Sequence, residues 1–187
     1  LQDEGIEGIN MQSIITMDGL KVPTGSHEGK KVIIGADHRG FAYKNKIIKM
    51  IQEKGYEVND VGTHSLEKCD YPPISNKIGR LVSEDPYNSV GIGICGSGIG
   101  SLIPASKHSH IYVARCVTPE EAATSRRHNN TNVLGIGADI VSLETALEIV
   151  DAWLTTPFYE DPQRDEAYLR RYTQTVKLET ELRHVNK

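Results

Sequence analysis

Five times between residues 31 and 154 a short apolar run gives way to an amphipathic or capped stretch, with only short links between them. Residues 31–36 predict a first strand. Residues 41–54 predict the helix after it, because Ile47, Ile48 and Ile51 recur at helical spacing against Lys44, Lys46, Lys49 and Lys54, and Gly55 closes the pattern. Further strands are expected at 56–61, 90–94, 111–116 and 132–136, with helices at 74–83, 98–106, 119–129 and 142–154. Thr118-Pro119-Glu120-Glu121 supplies an N-cap hydroxyl, a proline at the first helical position and acids in the first turn, and Ser142 caps the last of these helices. Such alternation is the pattern of a parallel sheet covered on both faces.

The expected fold class is therefore α/β: a three-layer α/β/α, Rossmann-like domain on a five-stranded parallel sheet, spanning residues 31–155. Residues 1–30 lack clear periodicity and read as an N-terminal extension ordered by the body or by a partner subunit, with a short edge strand at 14–17. Residues 156–187 read as a C-terminal helical segment. The 21 basic and 25 acidic residues are interspersed, giving a net charge of −4, which argues against nucleic acid or a membrane surface as partner. No apolar run reaches the length of a membrane span. Cys69, Cys95 and Cys116 are odd in number and far apart, so neither a disulfide framework nor a Cys-x-x-Cys metal site is indicated, and a reducing cytoplasm is expected.

The stretch Val90-Gly91-Ile92-Gly93-Ile94-Cys95-Gly96-Ser97-Gly98-Ile99-Gly100 is where chemistry is expected. It reads as a buried strand that stops at a thiol and enters a glycine-rich turn before a helix start at Ser101. That arrangement sets a nucleophile or base beside backbone N–H groups at the carboxyl edge of the sheet, where open α/β sheets bind ligands and a helix N-terminus attracts negative charge. Taken alone, Cys95 reads as a buried core cysteine before an ordinary strand-to-helix turn. Asp37-His38 after the first strand and Asp139 after the fifth face the same edge. His128-Asn129 lies at a helix end on the opposite edge, and it reaches that pocket only from a second subunit. In isolation His128 reads as a helix C-terminal cap, Asp37 as an N-terminal cap and Cys116 as core. Gly96-x-Gly98-x-Gly100 has the wrong spacing for a dinucleotide fingerprint, and Arg115-Cys116 stands where a ribose-binding acid belongs. His108 and His110 read as a solvated turn rather than as part of a metal set.

Gly35-Ala36-Asp37-His38-Arg39-Gly40, Asp70-Tyr71-Pro72, the Cys95 to Gly100 loop, Arg127-His128-Asn129-Asn130-Thr131-Asn132 and Ala152-Trp153-Leu154 occur in one order at compatible spacing. Together they resemble the type B ribose-5-phosphate isomerase family, which also contains galactose-6-phosphate and allose-6-phosphate isomerases. The resemblance implies a cofactor-free, metal-free aldose-ketose isomerase acting on a small sugar phosphate through an enediolate. It implies Cys95 as the base between C1 and C2, with Ser101 standing where other members carry a glutamate base. By the same resemblance Ser97 polarises the thiol or the substrate, and the N–H groups of Gly96, Gly98, Ile99 and Gly100 hold the enediolate oxygens. His128 would open the sugar ring with help from Asp37, Asn129 would bind a hydroxyl, and His38 and Tyr71 would contact substrate. A homodimer or tetramer with active sites shared between subunits is implied too.

The chain departs from the family at the residues that hold phosphate. Asp139, Asp165 and Tyr168 stand where two arginines and a histidine are usual, which leaves Arg164, with Arg170 or Arg171 as substitutes. Two other readings follow: an isomerase of a different or unphosphorylated sugar, and a non-catalytic sugar-phosphate-binding subunit of a hetero-oligomer.

Overall fold

The computed structural model describes residues 14–185. A hairpin of β1 (Ile14–Met17) and β2 (Leu20–Pro23) precedes the main sheet. That sheet is formed by β3 (Lys31–Ala36), β4 (Val58–Asp60), β5 (Ser89–Cys95), β6 (Val113–Arg115) and β7 (Val133–Gly137), in the order β4-β3-β5-β7-β6, all parallel. The helices are α1 (Phe41–Glu53), α2 (Tyr71–Glu84), α3 (Pro119–Asn129), α4 (Leu143–Thr155) and α5 (Pro162–Val185). No described helix is long and apolar enough to cross a membrane.

The alternation in Val90-Gly91-Ile92-Gly93-Ile94 explains the layering. Successive strand residues point to opposite faces, so Val90, Ile92 and Ile94 join Ile47, Ile51, Ile149 and Trp153 in the larger core under α1 and α4. Gly91 turns toward Ile78 of α2, where a Cβ would lie 2.6 Å from the isoleucine methyl. The opposite core holds Ile33, Ile78, Val82, Leu102 and Ala105. Trp153 is wholly buried, and its N–H donates to Thr131 Oγ1 at 3.0 Å.

Two expectations need correction. Residues 98–106 are not an α-helix: after the glycine turn the chain makes successive tight turns and one 3₁₀ turn at Ala105–Lys107. Pro104 has no N–H to give and the preceding glycines favour turns, so bonds run three residues back from Leu102 N–H to Ile99 O and from Lys107 N–H to Pro104 O, with a single four-residue bond from Ser106 N–H to Leu102 O. The strand at 14–17 does not edge the main sheet. It pairs only with β2, through Asp18-Gly19 at φ +51° and +78°, the left-handed pair that a two-residue hairpin turn requires. The hairpin packs Val22 against Phe158 and Leu169, so this part of the extension is ordered by the chain's own C-terminal helix. The rest of the extension lies outside the described residues.

Candidate active site

β3 and β5 are neighbours, and the chain leaves them in opposite directions across the sheet, which opens a crevice at their carboxyl ends. Asp37 N–H donates to Ile94 O at 3.1 Å and closes the base of that crevice. Asp37 Oδ1 accepts from the N–H groups of Arg39 (2.9 Å) and Gly40 (3.1 Å), which fixes the turn into α1, while no hydrogen bond among the described residues occupies Oδ2. His38 Nδ1 accepts from Cys69 N–H at 3.3 Å.

The Cys95 loop folds back over the end of β7. Gly98 has φ +74°, and a Cβ there would lie 2.7 Å from Gly137 N, so both the backbone and the space demand glycine. This turn aims Gly98 N–H at Cys95 Sγ, 3.2 Å away, and places Ser97 Oγ 4.0 Å from the sulfur. Ile99 N–H donates to Ser97 Oγ at 3.2 Å. The N–H groups of Gly96 and Gly100 have no hydrogen bond among the described residues. Tyr71 lays its ring on Gly100, where a Cβ would meet it at 3.0 Å.

Burial of Cys95 raises its thiol pKa, but the nearby polar groups of Ser101, the Gly98 N–H and the Ser97 hydroxyl outweigh it, so the net shift is downward. Ser101 Oγ is buried and falls short of hydrogen-bond geometry to any protein group, so it acts on the sulfur as a nearby dipole. Cys116 is the contrast, because burial pushes that thiol up to about 11. Sequence reasoning did not list Ser101 as a functional residue. Its signals were its place where other family members carry a glutamate base and its position as a second hydroxyl just beyond the glycine turn.

The acids that replaced basic residues are already occupied. Asp139 Oδ2 accepts from Arg39 Nε at 2.6 Å across Gly96. Asp165 is buried, accepts from the N–H groups of Glu160 and Asp161 at 3.0 Å, and is paired by Arg164, which holds its carboxyl well below the usual range. Arg164 is therefore committed to the start of α5.

His128 and Asn129 lie at the far end of α3, beside the entry of β6, as the antiparallel run of α3 dictates. They line a second cleft of about 570 Å³ with Ala114, Tyr168, Arg171 and Thr175. The Tyr168 ring stacks on His128 at 4.0 Å between centroids and 14° between planes, and Arg171 sits 6.0 Å from the Tyr168 ring centroid. One chain thus carries two residue clusters at opposite ends of its sheet, Asp37, His38, Tyr71 and the Cys95 loop at one, His128 and Asn129 at the other.

Residues 32–170 match the model of the family described as Ribose/Galactose Isomerase. The chain is 44% identical over 125 residues to ribose-5-phosphate isomerase B of Escherichia coli (strain K12), covering 67% of this chain and 83% of that protein. It superposes on ribose-5-phosphate isomerase B of Clostridium thermocellum with a TM-score of 0.73 at 36% identity, covering 81% of this chain and 99% of that one. The corresponding protein of Mycoplasma genitalium, solved with bound ribulose-5-phosphate, gives a TM-score of 0.75 at 28% identity over 81% of this chain and 97% of that one.

Proposed function

The chain belongs to the ribose/galactose isomerase family, and from that premise we propose that it interconverts ribose 5-phosphate and ribulose 5-phosphate by moving a proton between C1 and C2 through an enediolate. The observation that carries this reading is the Cys95 thiol, whose pKa is lowered at the mouth of the crevice by donors of its own loop. An aldose-ketose shift needs a base on carbon and donors for the developing oxyanion. Cys95 is the base, and Ser97 and Ser101 hold the thiolate ready. With Gly98 N–H spent on the sulfur and Ile99 N–H on Ser97, the N–H groups of Gly96 and Gly100 receive the enediolate oxygens. Asp37 Oδ2 accepts from a sugar hydroxyl, and His38 and Tyr71 border the sugar.

His128 opens the furanose ring by proton transfer and Asn129 binds a hydroxyl, both reaching the Cys95 crevice from a second subunit. Ile99 and Ile140, each 53% exposed, rim that crevice and are the apolar surface a second copy would cover. Arg171 lines the His128 cleft with no carboxylate partner among the described residues, which makes it our choice for the phosphate. The pairing of Asp139 with Arg39 and of Asp165 with Arg164 removes the repulsion that favoured an unphosphorylated sugar. Unpaired thiols at all three cysteines suit a cytoplasmic enzyme of the pentose phosphate pathway.

Steady-state kinetics of Arg171→Gln test this reading. The variant is expected to raise KM for ribose 5-phosphate by about tenfold or more, as loss of a charge-assisted contact worth about 1.5–3 kcal/mol implies, while ribose itself remains an equally poor substrate for both proteins. An unchanged KM would remove Arg171 from the phosphate site.

A further inference from the structure

A third cleft, of about 230 Å³, lies on the amino-end edge of the main sheet, between the hairpin and α5. Val22, Lys30, Tyr87, Tyr112, Tyr172 and Val176 define it. Of these, Val22, Lys30, Tyr172 and Val176 lie outside residues 32–170, the part that matches the family model. Tyr112 and Tyr172 meet edge to face at 5.2 Å and also line the His128 cleft, so the two cavities share a wall.

The charge in the cavity is one-sided. Lys30 Nζ pairs with no carboxylate among the described residues. Burial pulls its pKa down to about 8, and repulsion from the buried Arg126 adds to that, against a smaller pull from Asp85. The nearby acids are engaged elsewhere. Asp85 Oδ1 accepts from Asn88 Nδ2 at 3.0 Å. Glu179 accepts from His110 N–H at 2.8 Å and from Tyr112 O–H at 2.9 Å, and Arg183 pairs with it at 3.2 Å. A partly buried ammonium in direct contact with no carboxylate is relieved by an anion, and tyrosine faces and aliphatic side chains favour a flat apolar body beside it.

We propose that this cleft binds a small organic anion, its carboxylate or phosphate on Lys30 and its flat apolar body between the tyrosines and Val176. The site is separate from the isomerase chemistry and uses neither Cys95 nor His128.

Thermal unfolding of the full chain with benzoate as the probe, and benzyl alcohol as its uncharged counterpart, tests the proposal. Benzoate at ten times its Kd should raise the midpoint by about 3–6 °C, and benzyl alcohol should not. Lys30→Met should abolish the shift. Arg171→Gln, which alters only the neighbouring cleft, should retain it. Val176→Trp, which fills the cavity from the exposed side of α5 and leaves Lys30 in place, should also abolish the shift, so the test survives if Lys30→Met fails to fold. No shift at millimolar benzoate in the unsubstituted protein, or an undiminished shift in Lys30→Met or Val176→Trp, would overturn the assignment.

Discussion

At the scale of single residues, Cys95 and Cys116 show that burial does not decide what a thiol can do. Both are buried. At Cys116 burial outweighs the Ser125 hydroxyl and pushes the thiol up to about 11, whereas at Cys95 the polar groups of Ser101, Gly98 and Ser97 outweigh burial and lower it. In the proposed reaction the loop, rather than the residue type, makes the base. Ser101→Ala should therefore leave the fold intact and move the acid limb of the kcat/KM pH profile upward by about half a pH unit or more, because the thiolate loses a nearby dipole and forms at higher pH. An unmoved limb would show that Ser101 does not act on the sulfur. The sequence pattern singled out Cys95 and the glycine-rich turn, and the family resemblance added Ser97. It could not show which N–H groups face the sulfur, because that depends on Gly98 turning back over Gly137.

At the scale of elements, the segment between β2 and β3 braces the end of α3. The Arg126 guanidinium is buried with no carboxylate partner among the described residues. It donates to Asn130 Oδ1 at 2.9 Å, Thr131 O at 2.6 Å and Gly25 O at 3.0 Å, and burial lowers its pKa to about 9. His27 bonds Thr131 O through Nε2 at 3.0 Å and packs against Trp153 at 4.5 Å. Burial and the neighbouring Arg126 hold its pKa well below the usual histidine value, so the folded ring stays neutral. Above about pH 6.5 both folded and unfolded chains carry a neutral His27 and it adds no pH dependence. Below that, the unfolded chain takes up a proton that the folded one refuses, so stability falls as pH drops, with a slope approaching about 1.4 kcal/mol per pH unit. His27→Gln keeps a donor for Thr131 O and cannot ionise. It should flatten the decline in unfolding midpoint between about pH 6.5 and 5 by roughly 3–5 °C per pH unit, and an identical decline in both proteins would acquit His27. This brace was illegible in the sequence, since it joins residues a hundred positions apart. The hairpin was legible in principle, because Asp18-Gly19 between apolar residues is a strong turn signal, yet the surrounding glycines and the absence of longer periodicity hid it. The helix expected at 98–106 failed where apolar spacing was trusted over Pro104.

At the scale of the whole molecule, alternation of strand and helix predicted the sheet, and it also predicted that His128 stands at the wrong end of its own chain to meet Cys95. That second consequence makes the isomerase a shared-site enzyme in our account. Mixing Cys95→Ala with His128→Ala protein under subunit exchange should restore about a quarter of the unsubstituted activity, since about half the dimers are hybrids with one intact site of two. No recovery despite demonstrated exchange would place both residues in a site within one subunit or remove one of them from the site. The most direct test of the central claim is NMR of ribose 5-phosphate in heavy water, following deuterium at C2 together with formation of ribulose 5-phosphate. The unsubstituted protein should catalyse both, and Cys95→Ala should lose both by roughly 10²–10⁴-fold, the range expected for removing a general base. Exchange and conversion by Cys95→Ala at the unsubstituted rate would contradict the account.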